Sequence, residues 1–137
     1  MGAVSFSTSL RNDRLSAIVA AINDGTGSGI MRFYTAPRPT AGASVTTQTL
    51  LGTVGFSESA ATIDNGSATF ALITDDNAGD ASGDAVWCRV LSGDGVFVMD
   101  MDVTDNAGPG PVKMASVSIY EGGIIHVSSF VITEGNA

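Results

Sequence analysis

The sequence predicts a mainly β protein: an antiparallel β-sandwich of the jelly-roll kind with one N-terminal α-helix, in a single domain over residues 1–137. Three observations predict it. A helical apolar period occurs once, near the start. After the Gly25–Gly29 stretch the chain breaks into short runs of Val, Ile, Thr and aromatics separated by Gly, Asn and Asp. Several of those runs are apolar on both alternating faces, as strands covered on both sides are. For a chain of 137 residues, surface scaling leaves roughly 6,700 Å² exposed of roughly 20,000 Å², enough burial for a core without disulfides.

The helix is expected over 9–23. Leu15, Ile18, Val19 and Ile22 recur at i, i+3, i+4 and i+7, Ser9 can cap the start, and Asn23-Asp24-Gly25 supplies a stop. Its opposite face carries Asp13, Ser16, Ala17, Ala20 and Ala21, where a solvated helix normally carries long charged chains. Small residues admit a second surface closely, although Ala is also simply the best helix former. With Arg11 and Arg14 beside them as steering charges, Ala17, Ala20 and Ala21 form the candidate interface.

The sandwich is expected over about 30–133. Its strands are Ile30–Thr35, Gln48–Phe56, Ala68–Thr74, Asp84–Ser92, Val96–Val103, Val112–Tyr120 and Ile124–Thr133. Asn65-Gly66 and Gly93-Asp94-Gly95 read as tight turns, and Glu121-Gly122-Gly123 joins two alternating runs. The last four strands at least are expected to pair antiparallel. Gly25-Thr26-Gly27-Ser28-Gly29 precedes a strand, whereas phosphate cradles follow one, so it reads as a flexible turn. Pro37-Arg38-Pro39 and the Asp105–Pro111 stretch mark two long connections.

Composition narrows the function. Fourteen acids against six bases give a net charge of −8, which repels phosphate backbones and makes nucleic acid a poor partner. No apolar run approaches the roughly 20 residues of a membrane span, and no signal peptide is expected. Only 15% of residues are charged and mean hydropathy is +0.27, so some of the surface is expected to be covered by other chains.

Residues able to carry chemistry are few. His126 is the one histidine, no Gly-x-Ser-x-Gly elbow occurs, and Cys88 sits in an apolar strand where a thiol behaves as a small hydrophobe. Asp75, Asp76, Asp80, Asp84, Asp94, Asp100, Asp102 and Asp105 crowd one stretch, yet Asp75–Asp80 lacks the glycine and terminal glutamate of a calcium loop. Asp100 and Asp102 share a strand face and need water, Arg89, Lys113 or an ion to relieve their repulsion. The expected reading is a solvated acidic face, with a weak ion site as the alternative. No catalytic residue, cofactor or metal is assigned, and the chain is expected not to be an enzyme.

Residues 5–39 (SFSTSLRNDRLSAIVAAINDGTGSGIMRFYTAPRP), 84–95 (DAVWCRVLSGDG) and 127–137 (VSSFVITEGNA) resemble a family of small tailed-phage virion proteins. Members look like jelly-roll capsid cement or decoration proteins. The resemblance covers a little under half of the chain and contains no catalytic motif. It implies a structural protein on the outer capsid surface, made in the host bacterial cytoplasm. It also implies a homo-oligomer, dimer or trimer, bound to the major capsid protein, with neither nucleic acid nor membrane as partner. A tail or adaptor part, or a host-surface carbohydrate-binding module, is the alternative.

Overall fold

The computed structural model describes residues 4–57, 61–70, 76 and 78–134. One helix, α1 (Thr8–Ile22), is followed by ten strands: β1 (Ile30–Tyr34), β2 (Leu50–Gly55), β3 (Ala61–Asp64), β4 (Ser67–Phe70), β5 (Gly83–Asp84), β6 (Trp87–Leu91), β7 (Phe97–Asp105), β8 (Val112–Met114), β9 (Ser118–Ile119) and β10 (Ser129–Thr133). Eight form one mixed sheet in the order β2-β1-β6-β7-β8-β10-β4-β3, and β5 pairs with β9 apart from it. The fold is mainly β and sandwich-like, with one helix.

The sheet curls because its strands share one apolar core. Met31 and Phe33, Cys88 and Val90, Met101 and Val103, Val112, Phe130 and Phe70 all enter the same cluster. Phe56, just past β2 at one margin, lies 5.8 Å from Phe70 of β4 and 6.1 Å from Phe130 of β10. Strands far apart in the order thus meet face to face. Leu15 and Ile22, two helical turns apart, are the buried residues of α1, which packs on β3 and β4.

The helix starts at Thr8, so Ser9 lies inside it. Ser7 is the cap instead, and its hydroxyl accepts from the Leu10 N–H at 3.1 Å. At the other end Asn23 is the C-cap, as the Asn-Asp-Gly signal suggests. The glycine run beyond it is tied down rather than loose: Thr26 N–H donates to Asp94 and Gly93 N–H to Asp24.

Asn65-Gly66 does make a two-residue hairpin, between β3 and β4, with both residues at positive φ. β3 itself is absent from the expected strands. The hairpin docks on α1: Gly66 N–H donates to the Asn12 side chain at 2.8 Å, and a Cβ at Gly66 would strike the Arg11 guanidinium. Gly66→Ala is therefore expected to destabilise the protein by about 1–2 kcal/mol. A urea titration checks it, with the midpoint falling and the slope unchanged.

Two expectations are corrected. Val112–Tyr120 is not one strand; it breaks after Met114, and Ser118–Ile119 pairs instead with β5. The last four strands are not all antiparallel, because β8 runs parallel to β7, Val103 beside Val112. Parallel neighbours normally need a crossover of a dozen or more residues. Here the chain doubles back through Gly108 and Gly110, where a Cβ would strike Thr104, while Gly110 N–H donates to the Thr104 hydroxyl. Glycine lets that loop lie directly on the strand it leaves. The predicted strand Ala68–Thr74 is seen as β4 to Phe70, and its remainder lies outside the described residues.

No helix among the described residues is long and apolar enough to cross a membrane.

Candidate functional site

The outer face of β1, β6 and β7 is the most polar buried region. Trp87, Arg89 and Leu91 point away from the core, yet every residue of β6 is buried. The cover is the connection between β1 and β2, which enters through a cis Ala36-Pro37 peptide and folds back over the sheet. Arg89 is the pin beneath it. Its Nε and Nη2 donate to the two Asp100 oxygens at 2.8 and 3.0 Å, and Nη2 also donates to the Ala43 carbonyl. Asp100 accepts in addition from Gly42 N–H. With the Arg89 and Asp100 side chains only 11% and 2% exposed, this is a desolvated bidentate pair. The Asp100 carboxylate raises the Arg89 pKa further above its ordinary value, against desolvation.

Aromatic rings complete the layer. The Arg89 guanidinium stands over both Trp87 and Phe97, 5.3 Å from each ring centre, and Trp87 stacks on Tyr34 at 4.6 Å. Trp87 Nε1–H donates to the Thr35 carbonyl. Arg32 faces Arg89 across the β1–β6 ladder. Asp100 is engaged by Arg89 and by Gly42 N–H, and Arg32 Nε is buried without a hydrogen-bond partner.

The candidate interface residues divide. Arg11 and Arg14 have partners within the chain, Arg14 with its side chain 49% exposed. Arg11 Nε donates to the Glu134 carbonyl and Arg14 pairs with the Glu134 carboxylate at 2.8 Å, so together they tie the C-terminal strand to the helix. Ala17, Ala20 and Ala21 are exposed, as are Asp13 and Ser16, and the small-residue face is open.

The acids between Asp76 and Asp105 are mostly local acceptors. Asp102 pairs with Arg38, Asp84 accepts from the Ser118 hydroxyl, Asp105 from Ala107 N–H, and Asp76 from the N–H groups of Thr53 and Ala78. Asp75 lies outside the described residues. Among the described residues, no group of three or more Asp, Glu, His or Cys side chains converges as metal ligands do.

Cys88 and His126 lie in different settings. His126 is exposed, on the lip of a cavity with Ser116 and Ser118. Cys88 is inside the core, and its thiol pKa is pushed far above the usual range by burial, with Asp100 and Asp102 adding to the rise. Cys88 is therefore expected to resist an aromatic disulfide reagent in buffer and to react stoichiometrically in denaturant. Rapid labelling of the folded protein would contradict that placement.

Large apolar side chains remain in solvent at two turns: Val96, 62% exposed, and Tyr120 and Ile124, 71% and 70% exposed. Tyr120 and Ile124 flank the Glu121-Gly122-Gly123 turn and fall out of step with the buried Ile119 and with Ile125 and Val127, a signal the strand reading of both runs passed over. No protein-family model, curated protein or solved structure matches the chain.

Proposed function

We propose that this chain is a structural protein of a tailed-phage virion: a capsid cement protein that sits on the outer shell as an oligomer and joins neighbouring copies of the major capsid protein. The observation that carries the reading is surface apolarity without charge. Only 15% of residues are charged, and Val96, Tyr120 and Ile124 are held outward on ordered turns while the alanine face of α1 lies open. The mechanism is additive burial. Each junction covered removes apolar area from water at roughly 25 cal/mol per Å² before association costs, and opening the shell must expose it again. No reaction is assigned to the protein.

A carbohydrate-binding role would be favoured by aromatic rings grouped on an exposed face. Trp87 and Tyr34 do stack, but they are buried beneath the covering loop. Co-sedimentation tests the proposal: purified protein mixed with undecorated capsids is expected to pellet in a fixed ratio to the shell subunits. A stable monomer left in the supernatant at every ratio would reject it.

A further inference from the structure

We infer that Arg32 is an oxyanion site on the outer face of β1, open to a carboxylate or phosphate group that this chain does not itself supply. The site goes beyond the cement reading and stands without it.

Each of the other five bases, Arg11, Arg14, Arg38, Arg89 and Lys113, donates to an oxygen of this chain. Arg32 donates to none among the described residues, and its Nε is sealed from solvent. Buried polar groups are normally satisfied, so an orphan of this kind calls for an explanation. The residue as a whole is only part-buried, and the Nη groups are the end left open.

A part-buried guanidinium normally comes with a carboxylate, whereas Arg32 is set opposite a second cation. Arg89 faces it across the β1–β6 ladder, where directly opposed Cβ atoms stand roughly 4.5–5.5 Å apart and like charges are destabilising. The nearby acids are already committed. Asp100 takes Arg89 Nε and Nη2 together with Gly42 N–H, and Asp102, the other outward acid of β7, takes Arg38. Asp76, past the β2 margin, accepts from Thr53 and Ala78 N–H and lies against the core-facing side of Gly52. Residues 35–49, which form the cover, contain no Asp or Glu, and β2 sets the uncharged Thr53 opposite Arg32.

The layer therefore holds three guanidinium groups, Arg32, Arg38 and Arg89, against the two carboxylates Asp100 and Asp102. That is a local positive excess in a chain whose net charge is −8. The chemistry of the missing partner follows from the guanidinium. Its open edge presents parallel N–H groups that match two oxygens of a carboxylate or phosphate, and such charge-assisted bonds are the strong ones. The Thr53 side chain, on the same face, adds a hydroxyl beside it. The negative potential of the whole chain opposes a free anion, so binding from solution is on the order of millimolar.

Thermal unfolding of the full chain tests the site, with phosphate replacing chloride at constant ionic strength. The midpoint is expected to rise with phosphate and saturate, and Arg32→Gln is expected to need at least about tenfold more phosphate for the same rise. Arg32→Met keeps the apolar stem and removes both the orphan N–H and the charge beside Arg89. Its urea midpoint in chloride is expected to equal or exceed that of the unaltered protein. A marked fall there would show Arg32 to be spent on holding the fold and would overturn the site. An equal, unsaturating rise with phosphate in all three proteins is general salting of the folded state and would overturn it too. Shell pelleting distinguishes the sources of the oxyanion: phosphate that saturates Arg32 and also releases the protein from capsids points to a carboxylate of the shell subunit, and phosphate that saturates it with pelleting unchanged points to a free anion. If phosphate saturates Arg32 and nothing pellets at all, only the cement role fails.

Discussion

Asp100→Ala is expected to cost about 3–5 kcal/mol of stability, because it strands the Arg89 guanidinium in a desolvated layer with its only carboxylate removed. The same change also frees the covering loop, since Asp100 accepts from Gly42 N–H and Arg89 reaches Ala43 only while it is held in place. Trp87 reports both effects as the sole tryptophan. Denaturant unfolding should show the fall in stability, and native emission should shift to the red as the indole gains water. Replacing the pair together, Arg89→Met with Asp100→Leu, removes the stranded charge and is expected to recover most of the stability while the red shift persists. A loss below about 1 kcal/mol for Asp100→Ala would mean the pair is solvated and the cover loose.

Phe130→Ala carries the second large effect, about 3–5 kcal/mol, from the opposite side of the sheet. Phe130 is fully enclosed and stacks on Phe70 at 4.1 Å with ring planes 9° apart, while Phe56 closes the trio from the other margin. Removing the ring leaves a cavity at the place where the curled sheet meets itself. For a domain with a total stability of roughly 5–15 kcal/mol the change is severe. The urea midpoint should fall steeply, and Phe130→Leu, which retains most of the volume, should restore a large part of it. If Phe130→Ala and Phe130→Leu were equally mild, the contact between the two margins would be wrong.

The sequence made the helix legible because burial there follows a single period: of Leu15, Ile18, Val19 and Ile22, which the spacing selects, Leu15 and Ile22 are buried and Ile18 and Val19 pack partly buried against the core. It also made β6 legible as a doubly covered strand, and it named Arg89 as a relief for Asp100, which the ladder places directly opposite. Asp102 found a different base, Arg38, brought by the covering loop, and no local pattern reports a contact that distant in sequence. The break after Met114 did leave a trace: apolar residues fall at 112 and 114 and then at 117 and 119, a change of phase at Ala115–Ser116 that treating Val112–Tyr120 as one strand passed over. The parallel β7–β8 pair was hidden for a steric reason: its short connection is possible only where glycine backbone can rest on Thr104. The sequence pointed to the small-residue face of α1, which the fold leaves exposed, and gave no hint that Arg11 and Arg14 also reach Glu134 at the far end of the chain.

The margins of the curled sheet have a bearing on how such a protein can be stored. Beyond β2, Thr53 N–H is taken by the Asp76 carboxylate and the Leu51 carbonyl by Asp80 N–H, while β3 at the far margin ends on an exposed aspartate, Asp64. One border is already occupied and the other bears a negative charge, so neither readily recruits a fresh chain into a growing filament. Concentrated stocks should therefore stay free of fibrils.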